Sequence, residues 1–300
     1  MTKHFIYHYG VYQSAWEREG LIQLGPNLTN SETSIRTNGS DLRQIAFQLA
    51  EIGIRQSPIF YYTDNFYLRS DPLRNLAGWT APVILVCGDL HHGDNPLVTL
   101  RNFLQTEHCD AVLLLCNATM LPSVRRFTSS PVRFLPPSFF KYPASIRSNK
   151  PRSVLAHVGS IGKYHTFRRK VVESLLSVPR LRFEHYQTTT PEEAAVIYAN
   201  SALVLNVPLN NDLNHRIFEC MASGAPQIIL GNPELLGDQE LLALRQDLIW
   251  VSSVEEVSAK AIELLDNQNV ILSSIDVPPP PCWEIDRLLK AALAPYRTML

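Results

Sequence analysis

The stretch NHRIFECMASGAP, Asn214 to Pro226, gathers hydrogen-bond donors and a carboxylate at the start of one short helix. Unpaired backbone N–H groups and the positive end of the helix dipole draw anions to such a terminus. Asn214 and His215 add side-chain donors there, and Arg216 adds a guanidinium whose planar fork suits a phosphate. Glu219 sits one turn further in. A carboxylate repels a phosphate, so Glu219 reads as an acceptor for a neutral diol such as a ribose, and diphosphate plus ribose describes a nucleotide. The plain alternative is a surface helix with a solvated Arg216 and Glu219. The preceding NVPLNNDLN, which includes Asn211, is polar and follows an apolar run, so it belongs at a strand's carboxyl end.

A second constellation is GDLHHGDNP, directly after PVILVC. Asp89 and His91 are the leading candidates for a general base acting on a hydroxyl, with His92 and Asp94 beside them. A base that works near neutral pH is a histidine, or a carboxylate with a raised pKa. The same residue types ligate metals, but adjacent histidines in a turn chelate poorly, and no metal site is expected. The structural alternative makes Asp89 a cap and the histidines loop surface. Near the chain start, FIYHYG ends in His8 and Gly10, where a glycine lets a ligand approach the backbone; a plain turn is the alternative. FYYTDNFY, Phe60 to Tyr67, offers rings for stacking, although aromatics at strand spacing more often form core.

These residues need strands that end beside helices that begin. FIYHYG, SPIFYY, PVILVCG, DAVLLLC and VRFLPP read as strands. Between them, GSDLRQIAFQLAEIG reads as a helix capped by Ser40 and PLVTLRNFLQTEH as one started by Pro96; ATMLPSVRRF reads as a broken helix. After an irregular, proline-bearing stretch the alternation restarts with SVLAHVGS, FRRKVVESLLSV, LRFEHY, PEEAAVIYANS, ALVLNV, HRIFECMASG, QIIL, ELLGDQELLALR, LIWV and SVEEVSAKAIELLDN. Repeated β-α units imply parallel sheets with helices on both faces. The expected fold class is α/β, with two Rossmann-like doubly wound domains facing each other across a cleft. Residues 1–140 form the first domain, 141–152 a linker and 153–275 the second; 276–300 form a Pro-rich spacer and a final amphipathic helix able to pack back on the first domain. Ligands of such sheets sit at the carboxyl ends of the strands.

Three segments carry a resemblance. FECMASGAPQII is similar to the sugar-nucleotide half of the GT-B glycosyltransferases, in which a Glu-bearing helix runs through a Gly-x-Pro into an apolar strand. LAHVGSIGKYHTFRRKVVESLL resembles the strand, glycine loop and helix that open that family's C-terminal domain, and LIWVSSVEEVSAKAIELLDN its closing strand, turn and helix. They stand in the family's order, and the subgroup they resemble is the group-1-like transferases that include spore-maturation glycosyltransferases. The resemblance implies that Glu219 binds the donor ribose as the second glutamate of the family's pair. The first would fall at Asn211, a departure that leaves the contact to the transferred sugar and the retaining or inverting outcome open. It implies Arg216 near the donor diphosphate, and Gly159 and Ser160 as the glycine loop. Lys163, Arg168 and Arg169 are candidates for a second basic clamp, with helix surface the favoured alternative for the two arginines. GDLHHGDNP resembles the Asp-x-His feature of related transferases.

The resulting expectation is a metal-independent glycosyltransferase, with a hexose the implied group. It would take a nucleotide-diphosphate sugar as co-substrate, need no other cofactor and act on an unidentified acceptor hydroxyl. A sugar-nucleotide epimerase on the same architecture and a non-catalytic nucleotide-sugar-binding protein are the rivals. The chain has 300 residues, 45% hydrophobic and 18% charged, with a formal net charge of -1. That balance gives no sign of a nucleic-acid partner, which calls for a clustered positive footprint. No apolar run approaches the ~20 residues that span a bilayer, and MTKHFIYHYG lacks the apolar core of a signal peptide. The odd number of cysteines without a CxxC fits reduced thiols and a cytoplasmic location.

Overall fold

The structure, a computed structural model, describes residues 3–88, 90, 95–115, 118–135, 140–163, 165–208, 214–232, 248–267 and 284–294. The chain divides into two compact units: Met1–Lys141 with Cys282–Leu300, and Tyr142–Pro281.

The first unit is built on β1 (His4–Tyr7), β2 (Leu21–Gly25), β3 (Ser34–Arg36), β4 (Ile59–Thr63), β5 (Val83–Cys87), β6 (Ala111–Leu114) and β7 (Val132–Phe134). Their order is β3-β2-β1-β4-β5-β6-β7, with every pairing parallel. β5 and β6 are buried along their whole length, which is why VILVC and AVLL are continuous apolar runs rather than alternating ones. Helices α1 (Leu42–Glu51), α2 (Asn65–Ser70), α3 (Pro96–Thr106) and α4 (Leu121–Val124) belong to the same unit. The start of α1 corrects the sequence expectation. Asp41 is the cap, its carboxylate accepting from Arg43 N–H at 2.9 Å, while the Ser40 hydroxyl donates to Asp71. Strand order reverses between β1 and β4, so the switch point of this sheet lies where His8 follows β1.

The second unit is built on β8 (Arg152–Val158), β9 (Phe183–Tyr186), β10 (Ser201–Asn206), β11 (Gln227–Leu230) and β12 (Leu248–Val251), in the order β12-β11-β10-β8-β9, again all parallel. Helices α5 (Thr166–Leu176), α6 (Pro191–Asn200), α7 (His215–Ala222) and α8 (Val254–Asp266) complete it. The helix expected over ELLGDQELLALR lies outside the described residues. Val171, Val172 and Leu175 of α5 and Val257 and Ala261 of α8 join one core with Leu155, Leu203 and Ile228 of the sheet. Two caps set helix boundaries. The Ser253 hydroxyl accepts from Glu256 N–H while the Glu256 carboxylate reaches back to Ser252 N–H, fixing the start of α8. α7 stops at Gly224, whose φ of 64° is left-handed: Gly224 N–H bonds Met221 O and Ala225 N–H bonds Cys220 O. That double closure answers the carbonyls a helix end leaves over. The switch point of this sheet lies between β8 and β10.

The last described element, α9 (Ile285–Leu293), belongs to the first unit and packs on β6. It buries Ile285, Leu288 and Ala292, and its Asp286 carboxylate lies 2.8 Å from His4 Nε2 in β1. Among the described residues no helix is long and apolar enough to cross a membrane. Cys87, Cys109 and Cys220 are buried.

Candidate functional site

In the second unit Asn214, His215, Arg216 and Glu219 lie at the start of and along α7, and Gly159 and Ser160 follow β8. β10 ends in Asn206, which is fully buried, and Asn214 caps the start of α7. Their side-chain amides pair reciprocally, at 3.1 Å and 3.0 Å. Asn214 therefore makes no side-chain cap to α7. Among the described residues no side chain caps the start of α7, where the positive end of the helix dipole lies.

Arg216 lies on the first turn of α7 and folds over Gly159, the residue that follows β8. Gly159 has φ +139°, and a Cβ there would collide with Arg216 Nη2. Glycine is thus required twice, for its backbone angle and for the space that the guanidinium fills. Among the described residues, Arg216 Nε and Nη1 are both buried without a hydrogen-bond partner. Buried donors left unmade are costly, and a water or ligand acceptor would relieve that cost.

Arg168 corrects the expectation of a surface side chain. It is buried, and its fork donates to Val207 O at 3.2 Å and to Ser160 O at 3.2 Å, tying α5 to the loops after β10 and β8. Arg169 Nε donates to Ile161 O at 2.8 Å. The Ser160 hydroxyl accepts from Gly162 N–H at 3.1 Å, and Lys163 is exposed.

Glu219 is half-buried on α7, and the Tyr198 hydroxyl of α6 donates to its Oε2 at 3.0 Å. Burial and the Glu219 charge raise the Tyr198 pKa well above its ordinary value, so Tyr198 stays a donor. His215 Nδ1 is hydrogen-bonded to the Tyr142 hydroxyl at 2.7 Å, and the Tyr142 ring stacks on Phe218.

Two residues that sequence reasoning passed over lie beside Gly159. His157, on β8, is fully buried, and its Nδ1 bonds Leu205 O at 3.0 Å. A carbonyl only accepts, so Nδ1 carries the proton. Nε2 is then a bare lone pair, buried and without a partner among the described residues. Burial first, then the Arg216 charge, hold the His157 pKa well below the ordinary histidine range. His185 stacks on His157 with centroids 5.7 Å apart, and its Nε2 bonds Gly159 O at 2.9 Å. The available signal was a polar residue inside the apolar LAHV run, next to the glycine loop.

In the first unit, His8 is buried and its Nε2 bonds Gln23 Oε1 at 3.0 Å. The Gln23 amide also accepts from Gln13 N–H and donates to Gln13 O. Burial lowers the His8 pKa. A Cβ added at Gly10 would make ordinary contacts with His8 Nδ1 at 3.7 Å and Gln13 Nε2 at 3.9 Å. FYYTDNFY is divided: Phe60 and Tyr61 are core, whereas Phe66 is 64% exposed. Asp89, His91, His92, Asp94 and Asn211 lie outside the described residues. Among the described residues there is no cluster of three or more metal-ligating side chains.

The two all-parallel α/β units have the fold of the GT-B glycosyltransferases. Residues 148–273, from before β8 to beyond α8, match the family model described as "Glycosyl transferase-like". Comparison with the curated proteins finds no match. Among solved structures, the chain is similar to the catalytic domain of starch synthase IV from Arabidopsis thaliana bound to ADP and acarbose. The TM-score there is 0.52 at 10% identity, over 84% of this chain and 75% of that one. It is similar to TarM (TM-score 0.51, 14% identity, 77% of this chain and 52% of that one). It is also similar to the Thermobaculum terrenum O-GlcNAc transferase (TM-score 0.50, 12% identity, 98% and 64%). This chain thus spans about half the length of TarM.

Proposed function

We propose that this chain is a glycosyltransferase that moves a sugar, a hexose, from a nucleoside-diphosphate sugar to an acceptor hydroxyl without a metal ion. The observation that carries the reading is Arg216: on the first turn of α7 and over Gly159, it has two buried guanidinium nitrogens without an acceptor among the described residues, none of which caps that helix with a side chain. In such a transfer the acceptor oxygen bonds to the anomeric carbon, the bond from that carbon to the diphosphate breaks, and the leaving group takes the electron pair. Donors already in place stabilise the developing charge without reorganising. Arg216 and the positive end of the α7 dipole fill that role, which elsewhere falls to a divalent ion. Glu219, aimed by Tyr198, accepts from the ribose hydroxyls. Asp89 or His91 takes the acceptor proton. The arginine on α7 favours the spore-maturation subgroup, and nothing in the net charge of -1 favours a nucleic-acid acceptor.

Calorimetric titration of UDP, ADP and their glucose conjugates, with and without EDTA, tests the reading. One nucleotide should bind equally well in both conditions. Arg216→Ala should weaken it by about 10- to 150-fold, the equivalent of one lost charge-assisted hydrogen bond of about 1.5–3 kcal/mol. Binding that vanishes with EDTA would rule out the metal-free clamp. Full binding by the variant would remove Arg216 from the site.

A further inference from the structure

His157 and Arg216 pose a joint problem that an anion alone does not solve. The two side chains meet at Gly159: a Cβ there would run into Arg216 Nη2 and lie 3.9 Å from His157 Nε2. Arg216 needs acceptors, whereas Nε2 of His157 needs a donor. A phosphate satisfies the first and leaves the second bare, because its oxygens only accept. A proton on Nε2 resolves the conflict by turning the lone pair into a donor. The Nδ1 bond to Leu205 O already fixes the tautomer, so the proton adds at Nε2 with no ring flip and no lost bond.

The surroundings decide when that proton arrives. Arg216 reaches His157 from α7, Arg168 from α5 and His185 from β9, while β10 presents the Leu205 carbonyl. With the site empty, burial and two guanidinium charges oppose a third cation. A diphosphate on Arg216 brings negative charge and reverses the local field.

We infer that a diphosphate bound at Arg216 draws a proton onto His157 Nε2, so that the imidazolium becomes a further cation of the donor site and donor binding is coupled to proton uptake. This rests on the donor reading above. Linkage makes the coupling reciprocal: affinity rises as pH falls, by up to about tenfold per pH unit where bound and free forms differ by one proton.

The probes are UDP-glucose and ADP-glucose, whose phosphates are diesters and do not titrate near pH 6. Calorimetry at pH 5.5 to 8, in buffers of different protonation enthalpy, should show wild type taking up a proton on binding, with affinity rising towards acid pH. His157→Asn keeps a donor at the place of Nδ1 and has nothing to protonate; its binding should show no uptake and a flat pH profile. Histidine resonances of wild type give a readout that needs no variant: the His157 titration midpoint should move up at saturating ligand. Wild-type binding without uptake, equal uptake by His157→Asn, or an unmoved midpoint each overturn the coupling while leaving the donor reading standing. Failure of wild type to bind either probe removes the donor reading and this inference together.

Discussion

The amides of Asn206 and Asn214 hold each other through two hydrogen bonds, so the residue placed to cap α7 is occupied elsewhere. Asn206 is fully buried, and removing its partner strands a polar group. Asn214→Ala should therefore cost about 1–3 kcal/mol, read by urea unfolding. The double variant with Asn206→Ala should cost less than the sum of the two single changes, because the pair fails as a unit. Additive effects would show that the pair contributes nothing as a pair.

Gly159→Ala tests the seat of Arg216. At φ +139° a side chain is strained, and its Cβ would displace the guanidinium. The expected loss of stability is on the order of 1–3 kcal/mol. Diphosphate affinity should fall with it, and adding Arg216→Ala should lower affinity little further. Independent losses from the two changes would separate Gly159 from the arginine.

Tyr198→Phe isolates the diol contact. The lost hydrogen bond to Glu219 should cost about 0.5–1.5 kcal/mol of stability. A ligand with a ribose should bind more weakly, while inorganic pyrophosphate should bind as before, since Tyr198 and Glu219 face the sugar side of the reading. Equal weakening of both ligands would place Glu219 with the phosphates instead.

The empty protein should lose stability on mild acidification. Burial lowers the folded-state pKa values of His157 and His8 below 6.5. Below that pH the unfolded chain binds protons that the folded chain refuses, so stability falls with pH until each folded value is reached. The slope approaches about 1.4 kcal/mol per pH unit for each histidine. Chemical unfolding from pH 7.5 to 5 should show it, and His157→Asn should flatten the curve. An unchanged slope in that variant would mean that His157 titrates normally in the folded state.

Most of the second unit was legible because its signals are local and mutually consistent. SVLAHV, ALVLN and QIIL are apolar runs too short for helices, and Ser253 with Glu256 writes the start of α8 in four letters. β2 and β3 escaped notice for physical reasons. Gln23 interrupts the apolar run of β2, and it is buried only because His8 and Gln13 satisfy its amide. β3 is three residues long. Arg168 resembled a solvated helix residue, since only the fold brings the carbonyls of Val207 and Ser160 to its fork. Glu219 and Arg216 could be nominated from one helix, but Tyr198 and His157 come from other elements, and no spacing along the chain connects them.

α9 has a consequence for how the molecule is made. The first unit's sheet begins with β1, yet α9, which packs on that sheet, follows all of β8 to α8 in the chain. On the ribosome the second unit, being continuous, has its whole sequence available while Leu288 and Ala292 are still missing from the first. The apolar surface that α9 covers in the first unit can therefore be closed only after the whole of the second unit has been synthesised.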